Sequence, residues 1–374
     1  MKAYTPSAQL ALDALDRKET KGIPTGLVHI MEHSVIEHIA GAETGEYVQD
    51  PYGVYCRMLE NIGVNMVDQF LATNPLTMGN KGYERALNTP TTGGVVDLDG
   101  FIVSSPEDCI DYIERIDIPC IEKKIGGFQE QSRIQEVINQ ESQVQRMLGP
   151  DILKAGYGKL MFPGLEYSRY GYENYFIAYA LYPEVIDRLF KLQADYAVKN
   201  NRAVVKAFKK AGLPLYHRLD YDMADSSGLL VSMASLNRSW VEHFARSIEP
   251  AVDADFTLLW HCDGNLMELL PYLIESGVNG FQGFQYEDGM DYINICKLKA
   301  KNGKSMVIQA GVSVTRELPM GTAKDVENQL RFLVENGPRT GLLLSMSSSC
   351  APGTPLDNIK TAVEGFEYYR SHGR

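Results

Sequence analysis

The chain has 374 residues, 44% hydrophobic and 22% charged, a make-up that suits a globular protein large enough to enclose a site. Asp and Glu outnumber Lys and Arg by 48 to 36, and the formal charge of −12 argues against non-specific nucleic-acid binding, which needs a cationic surplus. No apolar run approaches the roughly 18 residues of a membrane span, and the polar start Met1-Lys2-Ala3-Tyr4-Thr5-Pro6 lacks a signal-peptide core. Six cysteines without CxxC spacing exclude a disulfide scaffold and a zinc ribbon, and predict reduced thiols in a cytoplasmic protein.

Residues 5–18 read as a helix, with Leu10, Leu12 and Leu15 near helical spacing. Strands are expected at 23–30 and 64–71, separated by helical segments around 33–40 and 52–62. The alternation of 91–103 around Gly93-Gly94 and Asp99-Gly100 predicts a hairpin set into the barrel. A further strand is expected at 159–165, and 172–212 carries two long helices.

From residue 213 the rhythm is clearer. Strands at 213–221, 256–261, 278–284, 305–312 and 341–346 alternate with helices at 235–252, 265–277, 292–302, 323–336 and 356–369, the pattern of a parallel sheet covered by helices. Gly277, Gly303 and Gly337 each follow an amphipathic run, where a left-handed C-cap is expected. There is no repeat and no linker. About eight parallel strands define an α/β chain built as one domain over 1–374, a single (β/α)8 TIM barrel with an N-terminal helical extension. A doubly wound sheet is the competing architecture, but neither GxGxxG nor GxxxxGK[ST] follows any strand.

In such a barrel the active site is built from the C-terminal ends of strands. The run Trp260-His261-Cys262-Asp263-Gly264-Asn265 delivers an imidazole, a thiol and a carboxylate to one strand end, and these side-chain types bind zinc. Residues two apart share a face on an extended chain, so His261 and Asp263 can converge while Cys262 points elsewhere. The same residues also read as a plain turn capping the next helix. Cys350, in the loop after the last strand, faces the same mouth in this reading and makes a second element for a metal. Asp220 and Asp222 share a face of the segment leaving the 213–221 strand and could hold a metal, orient a histidine ligand or bind a substrate cation, with a loop cap or an ion pair to Arg218 as the bland reading; with His261 they are the expected catalytic residues. His29, Glu32 and His33 form a titratable cluster at the end of the first strand. Glu166, Arg169 and Tyr170 read either as a substrate-pocket lining or as loop surface. Expected substrate contacts are His29, Glu166 and Tyr170.

The turn His261–Gly264, the segment 269–284 and the run Cys350-Ala351-Pro352-Gly353-Thr354-Pro355-Leu356-Asp357-Asn358-Ile359 resemble the uroporphyrinogen decarboxylase superfamily, in particular its corrinoid-dependent methyltransferases. The resemblance runs from about 213 to 369 and is only general over 1–150. It implies a (β/α)8 barrel and a zinc-dependent transfer of a methyl group between a small methylated substrate, such as a methoxylated aromatic or a thiol, and a corrinoid. Carried over by position, the implied zinc ligands are His261, Asp263 and Cys350. Asp263 stands where the family has a thiolate, a harder ligand that gives a less electron-rich metal. The decarboxylase proper has an Arg-rich segment after its first strand. This chain reads Leu27-Val28-His29-Ile30-Met31-Glu32-His33 there, which speaks against a polyanionic substrate. The Asp-x-His-x-x-Gly signature of corrinoid carriers is absent, so the resemblance implies a separate corrinoid protein as partner. A decarboxylase-like reaction and a non-catalytic ligand- or corrinoid-protein-binding barrel are the alternatives.

Overall fold

A computed structural model describes residues 4–26, 28–73 and 94–374 of the chain. It opens with helix α1, Pro6–Leu15, in the expected place. The parallel strands that follow are β1 (Met66–Val67), β2 (Leu153–Lys154), β3 (Gly156–Tyr157), β4 (Tyr216–Asp220), β5 (Thr257–His261), β6 (Gly280–Gln282), β7 (Val307–Val312) and β8 (Leu342–Met346). β3 to β8 form one sheet in sequence order, and β1 pairs with β2. At its far edge Leu344 bridges Thr25, whose carbonyl in turn accepts from Asn65 N at 2.9 Å. The result is a mixed α/β structure with a curled parallel sheet wrapped by helices, a TIM-like fold.

Alternation along the strands sorts the side chains. Leu219, Leu258, Trp260 and Ile308 pack outward into the main core beneath the helices. Tyr216, Leu259, Val307 and Leu343 point inward and meet Ala8, Ala11, Ala14 and Leu15 of α1, which plugs the amino-terminal end of the sheet. Arg17, just beyond α1, staples it there through Nε to Ser305 O (2.6 Å) and Nη2 to Asn279 O (3.0 Å).

Two expected strands are corrected: the described residues of 23–30 form only isolated bridges, at Thr25 and Ile30, and a second strand is displaced. Residues 159–165 are not a strand; the strand lies earlier, over β2 and β3. Two departures from the usual strand pattern hide it. Lys154 is 4% exposed because its ammonium pairs with Glu141 at 2.9 Å, and Gly156 leaves room where a Cβ would sit 2.5 Å from Tyr216 O. The apolar run after it sends its backbone groups to side chains instead. Lys159 N and Leu160 N donate to His217 Nε2 at 3.0 and 3.1 Å, and Asn201 holds both Met161 N and Met161 O at 2.8 Å.

The hairpin forms, but not within the main sheet. Among the described residues Val96–Leu98 and Phe101–Val103 pair only with each other, with Asp99 and Gly100 at positive φ, and the expectation before residue 94 lies outside the described residues. The helix expected at 235–252 breaks at Trp240 into Met233–Ser239 and Val241–Val252. Helices at 265–277 and 292–302 shorten to Leu270–Ser276 and Tyr292–Ile295, whereas Ala323–Asn336 appears as expected behind a Thr322–Asp325 capping box. Gly277 and Gly303 are left-handed; Gly337 is not, with φ −71°. Among the described residues no helix is long and apolar enough to cross a membrane.

Candidate functional site

Strand register builds the site. Asp220 pairs with His261, His261 with Gln282 and Gln282 with Gln309, so four neighbouring strands place these side chains in one inward row. Tyr221 N donates to His261 O at 3.2 Å, continuing the pairing past the end of β4 and keeping Asp222 on the face of Asp220. Above the row opens a cavity of about 520 Å³ at the carboxyl ends of the strands. Its lining includes His29, Arg218, Asp220, Asp222, His261 and Asp263.

At its centre, ligand atoms of Asp222, His261 and Asp263 all lie within 4.8 Å of one another. His261 Nε2 is 3.9 Å from Asp263 Oδ1, and its Nδ1 sits 3.2 Å from Gln282 O. A carbonyl can only accept, so Nδ1 donates to it and Nε2 is the ring nitrogen that faces the carboxylates. Asp263 N donates to Asp222 Oδ1 at 2.9 Å, and Ser348 Oγ to Asp263 Oδ2 at 3.3 Å. Poor solvation raises the Asp222 carboxyl above its ordinary value, against the lowering effect of the Asp263 N–H. Glycine shapes both flanks. Gly283, at φ +68°, lies where a Cβ would be 2.9 Å from His261 Nδ1, and Gly264, at φ +85°, turns the chain against Asp225.

The floor is a neutralised cation. Arg218 is 4% exposed and meets Asp220 at 3.3 Å and Asp68 at 3.5 Å, with Gln69 and Gln282 accepting from its Nη atoms at 2.7 and 3.1 Å. Tyr157 lies under the guanidinium, 4.7 Å from ring centroid to Cζ, and donates to Asp220 Oδ2 at 3.1 Å. The Arg218 ion pair therefore holds Asp220 beside the donor group rather than within it. On the opposite wall His29 Nδ1 lies 2.7 Å from Ser349 Oγ, and burial with the Arg218 charge pushes its imidazole down to about 3.

Other expected site residues fall elsewhere. Cys350 is 1% exposed and is neither in the donor group nor on the cavity wall. Its N–H donates to His29 O at 2.8 Å, which turns Ser349 and Ala351 toward the cavity and leaves the thiol behind them with Thr354. Burial pushes that thiol up to about 11. Cys262 is also turned away, its Sγ accepting from Met223 N at 3.2 Å. Glu166 lines a different cavity, and Tyr170 is fully buried with its hydroxyl on Asp117. The residues not foreseen are glutamines: Gln69 and Gln282 on Arg218, and Gln285, which accepts from Gly264 N at 2.7 Å. Gln282 ends an inward-facing strand position, a signal that alternation alone supplies.

No family model matches the chain, and no curated protein matches it. Among solved structures, the chain is similar to a methyltransferase from Methanosarcina mazei, with TM-score 0.58 and 15% identity over 98% of this chain and 99% of that one. A B12-independent methionine synthase from Shewanella sp. W3-18-1, in complex with selenomethionine, aligns with TM-score 0.44 and 11% identity over 92% of this chain and 97% of that one. The first likeness establishes a shared fold and leaves the chemistry to the residues.

Proposed function

We propose that the chain is a zinc-dependent methyltransferase of the uroporphyrinogen decarboxylase superfamily. It moves a methyl group between a small methylated substrate, a methoxylated aromatic or a thiol, and a corrinoid on a separate protein. In this reading the whole chain is one cytoplasmic domain, and segment 23–30 closes the curled sheet into a (β/α)8 barrel between β8 and β1. Backbone bonds on both sides of Thr25 support the closure.

The observation that carries the reading is the convergence of Asp222, His261 and Asp263 in the cavity. The donor set fits zinc: one imidazole and two carboxylates, with the imidazole tautomer selected by a carbonyl and each carboxylate anchored by a hydrogen bond. Asp222 takes the role expected of Cys350. Zinc held there would make the leaving heteroatom less basic, worth several kcal/mol in methyl transfer. Around it, Met31, Val314, Met346 and Ala351 give the methyl group an apolar wall, while Arg218 and Asp220 form a polar floor without net charge. The one guanidinium among the described lining residues is already matched by two carboxylates, which leaves little for a tetrapyrrole polyacid and weighs against decarboxylation.

The test is metal content after chelator-free purification, beside His261→Ala. About one zinc per chain, absent from the variant, is the expected result. Zinc that neither co-purifies nor can be loaded would end the metal reading and favour a binding barrel.

A further inference from the structure

Gln285 ties the loop after β6 to the loop after β5. Gly283 turns the chain at the end of β6, and Phe284 and Tyr286, on either side of Gln285, pack against the core with their ring centroids 6.1 Å apart. The residue between them joins the wall of the His261 cavity. Its Oε1 accepts from the buried Gly264 N at 2.7 Å, one residue past Asp263. A backbone N–H can only donate, so this bond fixes which end of the amide is the oxygen. The amide nitrogen is the other arm of the same group, beside a carboxylate of the donor set.

The other uncharged side-chain donors of the lining are committed within the protein. Gln69 Nε2 donates to Tyr157 Oη at 3.0 Å, and Gln282 Nε2 reaches Ser347 O at 3.5 Å. Ser348 donates to Asp263, Thr315 to Glu287, and Ser349 is bonded to His29. Gln285 Nε2 has no protein acceptor among the described residues, and it is not sealed from solvent. The charges around it leave no cation for an anionic substituent. Arg218 is matched by Asp68 and Asp220, and the two charges of a zinc ion would be matched by Asp222 and Asp263. A neutral oxygen therefore suits the Gln285 amide better than a carboxylate or sulfonate, whose own charge would stay uncompensated.

Resting on the methyltransferase reading, we propose that Gln285 is a specificity-determining residue, whose amide N–H donates to a second, uncharged oxygen that the substrate carries beside its methylated oxygen. The substrate class is then a neutral aryl ether with two neighbouring oxygens. A site that hydrogen-bonds one substrate group discriminates against the analogue lacking it, because the donor is left unpaired once the ligand displaces water.

Calorimetric titration of the zinc-loaded full chain with 1,2-dimethoxybenzene and with anisole tests this, with zinc content measured on the same samples. The dimethoxy ether is expected to bind about three- to tenfold tighter, the worth of one neutral hydrogen bond. Gln285→Glu keeps an acceptor for Gly264 N and removes the donor, whereas Gln285→Met removes both without adding charge. Each variant is expected to bring the two affinities together, and if one does not fold the other decides. A purely structural glutamine would weaken both ethers equally and leave their ratio unchanged. Parental zinc without a preference for the dimethoxy ether, no saturable binding of either ether, or a preference that survives in the variants overturns this proposal alone. Zinc that cannot be loaded ends the metal reading and this proposal with it.

Discussion

The backbone N–H of Asp263 donates to Oδ1 of Asp222 over 2.9 Å, tying the loop after β4 to the loop after β5 where their carboxylates meet. Asp222→Asn keeps an acceptor for that N–H and removes the charge. It is expected to fold like the parent and to lose zinc affinity by about a hundredfold or more, since even outer partners of metal ligands are worth about 10- to 100-fold. On the proposed zinc reading Cys350→Ala binds the metal as the parent does, because the thiol lies behind the cavity wall. Competition with a chelating dye measures both; zinc lost from Cys350→Ala but held by Asp222→Asn would reverse the ligand assignment.

Gly283→Ala probes the support of His261. The left-handed φ of +68° costs an L-residue about 1–2 kcal/mol, and the added methyl would meet Ser347 O at 2.3 Å and the imidazole at 2.9 Å. A lower Tm together with weaker zinc binding is expected. A variant with parental Tm and zinc affinity would show that the ring position does not depend on this glycine.

His217 gives a pH signature. It is fully buried, its Nε2 accepts two backbone N–H groups, and burial pushes its imidazole down to about 3. The unfolded chain takes up this proton near pH 6.5 and the folded one does not, so stability present above about pH 6.5 falls as the pH drops toward 3. The slope from this one group approaches about 1.4 kcal/mol per pH unit. His217→Gln keeps an acceptor and removes the titration. Urea unfolding at pH 7, 6 and 5 should show a shallower loss in the variant, and parallel slopes would count against the assignment.

The Lys154–Glu141 pair, each side chain 4% exposed, tests the strand that sequence reading displaced. Glu141→Gln leaves a buried ammonium uncompensated and is expected to cost about 3–5 kcal/mol in urea unfolding, whereas Glu141→Leu with Lys154→Met should recover most of that. A cost below about 1 kcal/mol would mean that the pair is hydrated, as surface pairs are.

What could be read in the sequence was local. Strand alternation put His261 and Asp263 on one face and Cys262 on the other, and the structure keeps all three there. The later strands and the helix Ala323–Asn336 were legible for the same reason, since period and caps are properties of a few adjacent residues. The strand through Lys154 and Gly156 was not, because the Glu141 that makes a buried lysine tolerable sits on a different element.

Which strand ends supply the donor group was a tertiary decision. In sequence Asp222 and Cys350 each stand just beyond a strand, and the family resemblance points to Cys350 as the ligand. Pairing carried past β4 by Tyr221 holds Asp222 over the cavity, while the bridge from Cys350 N to His29 O turns the thiol behind it. Glu166 and Tyr170 were separated from His261 in the same way: the Asn201 and His217 side chains draw the 159–161 backbone out of the sheet, and the chain beyond it lines another cavity. Alternation is dictated by the chain's own stereochemistry, but the direction of a loop depends on hydrogen bonds to residues tens or hundreds of positions away, and only the folded chain brings those together.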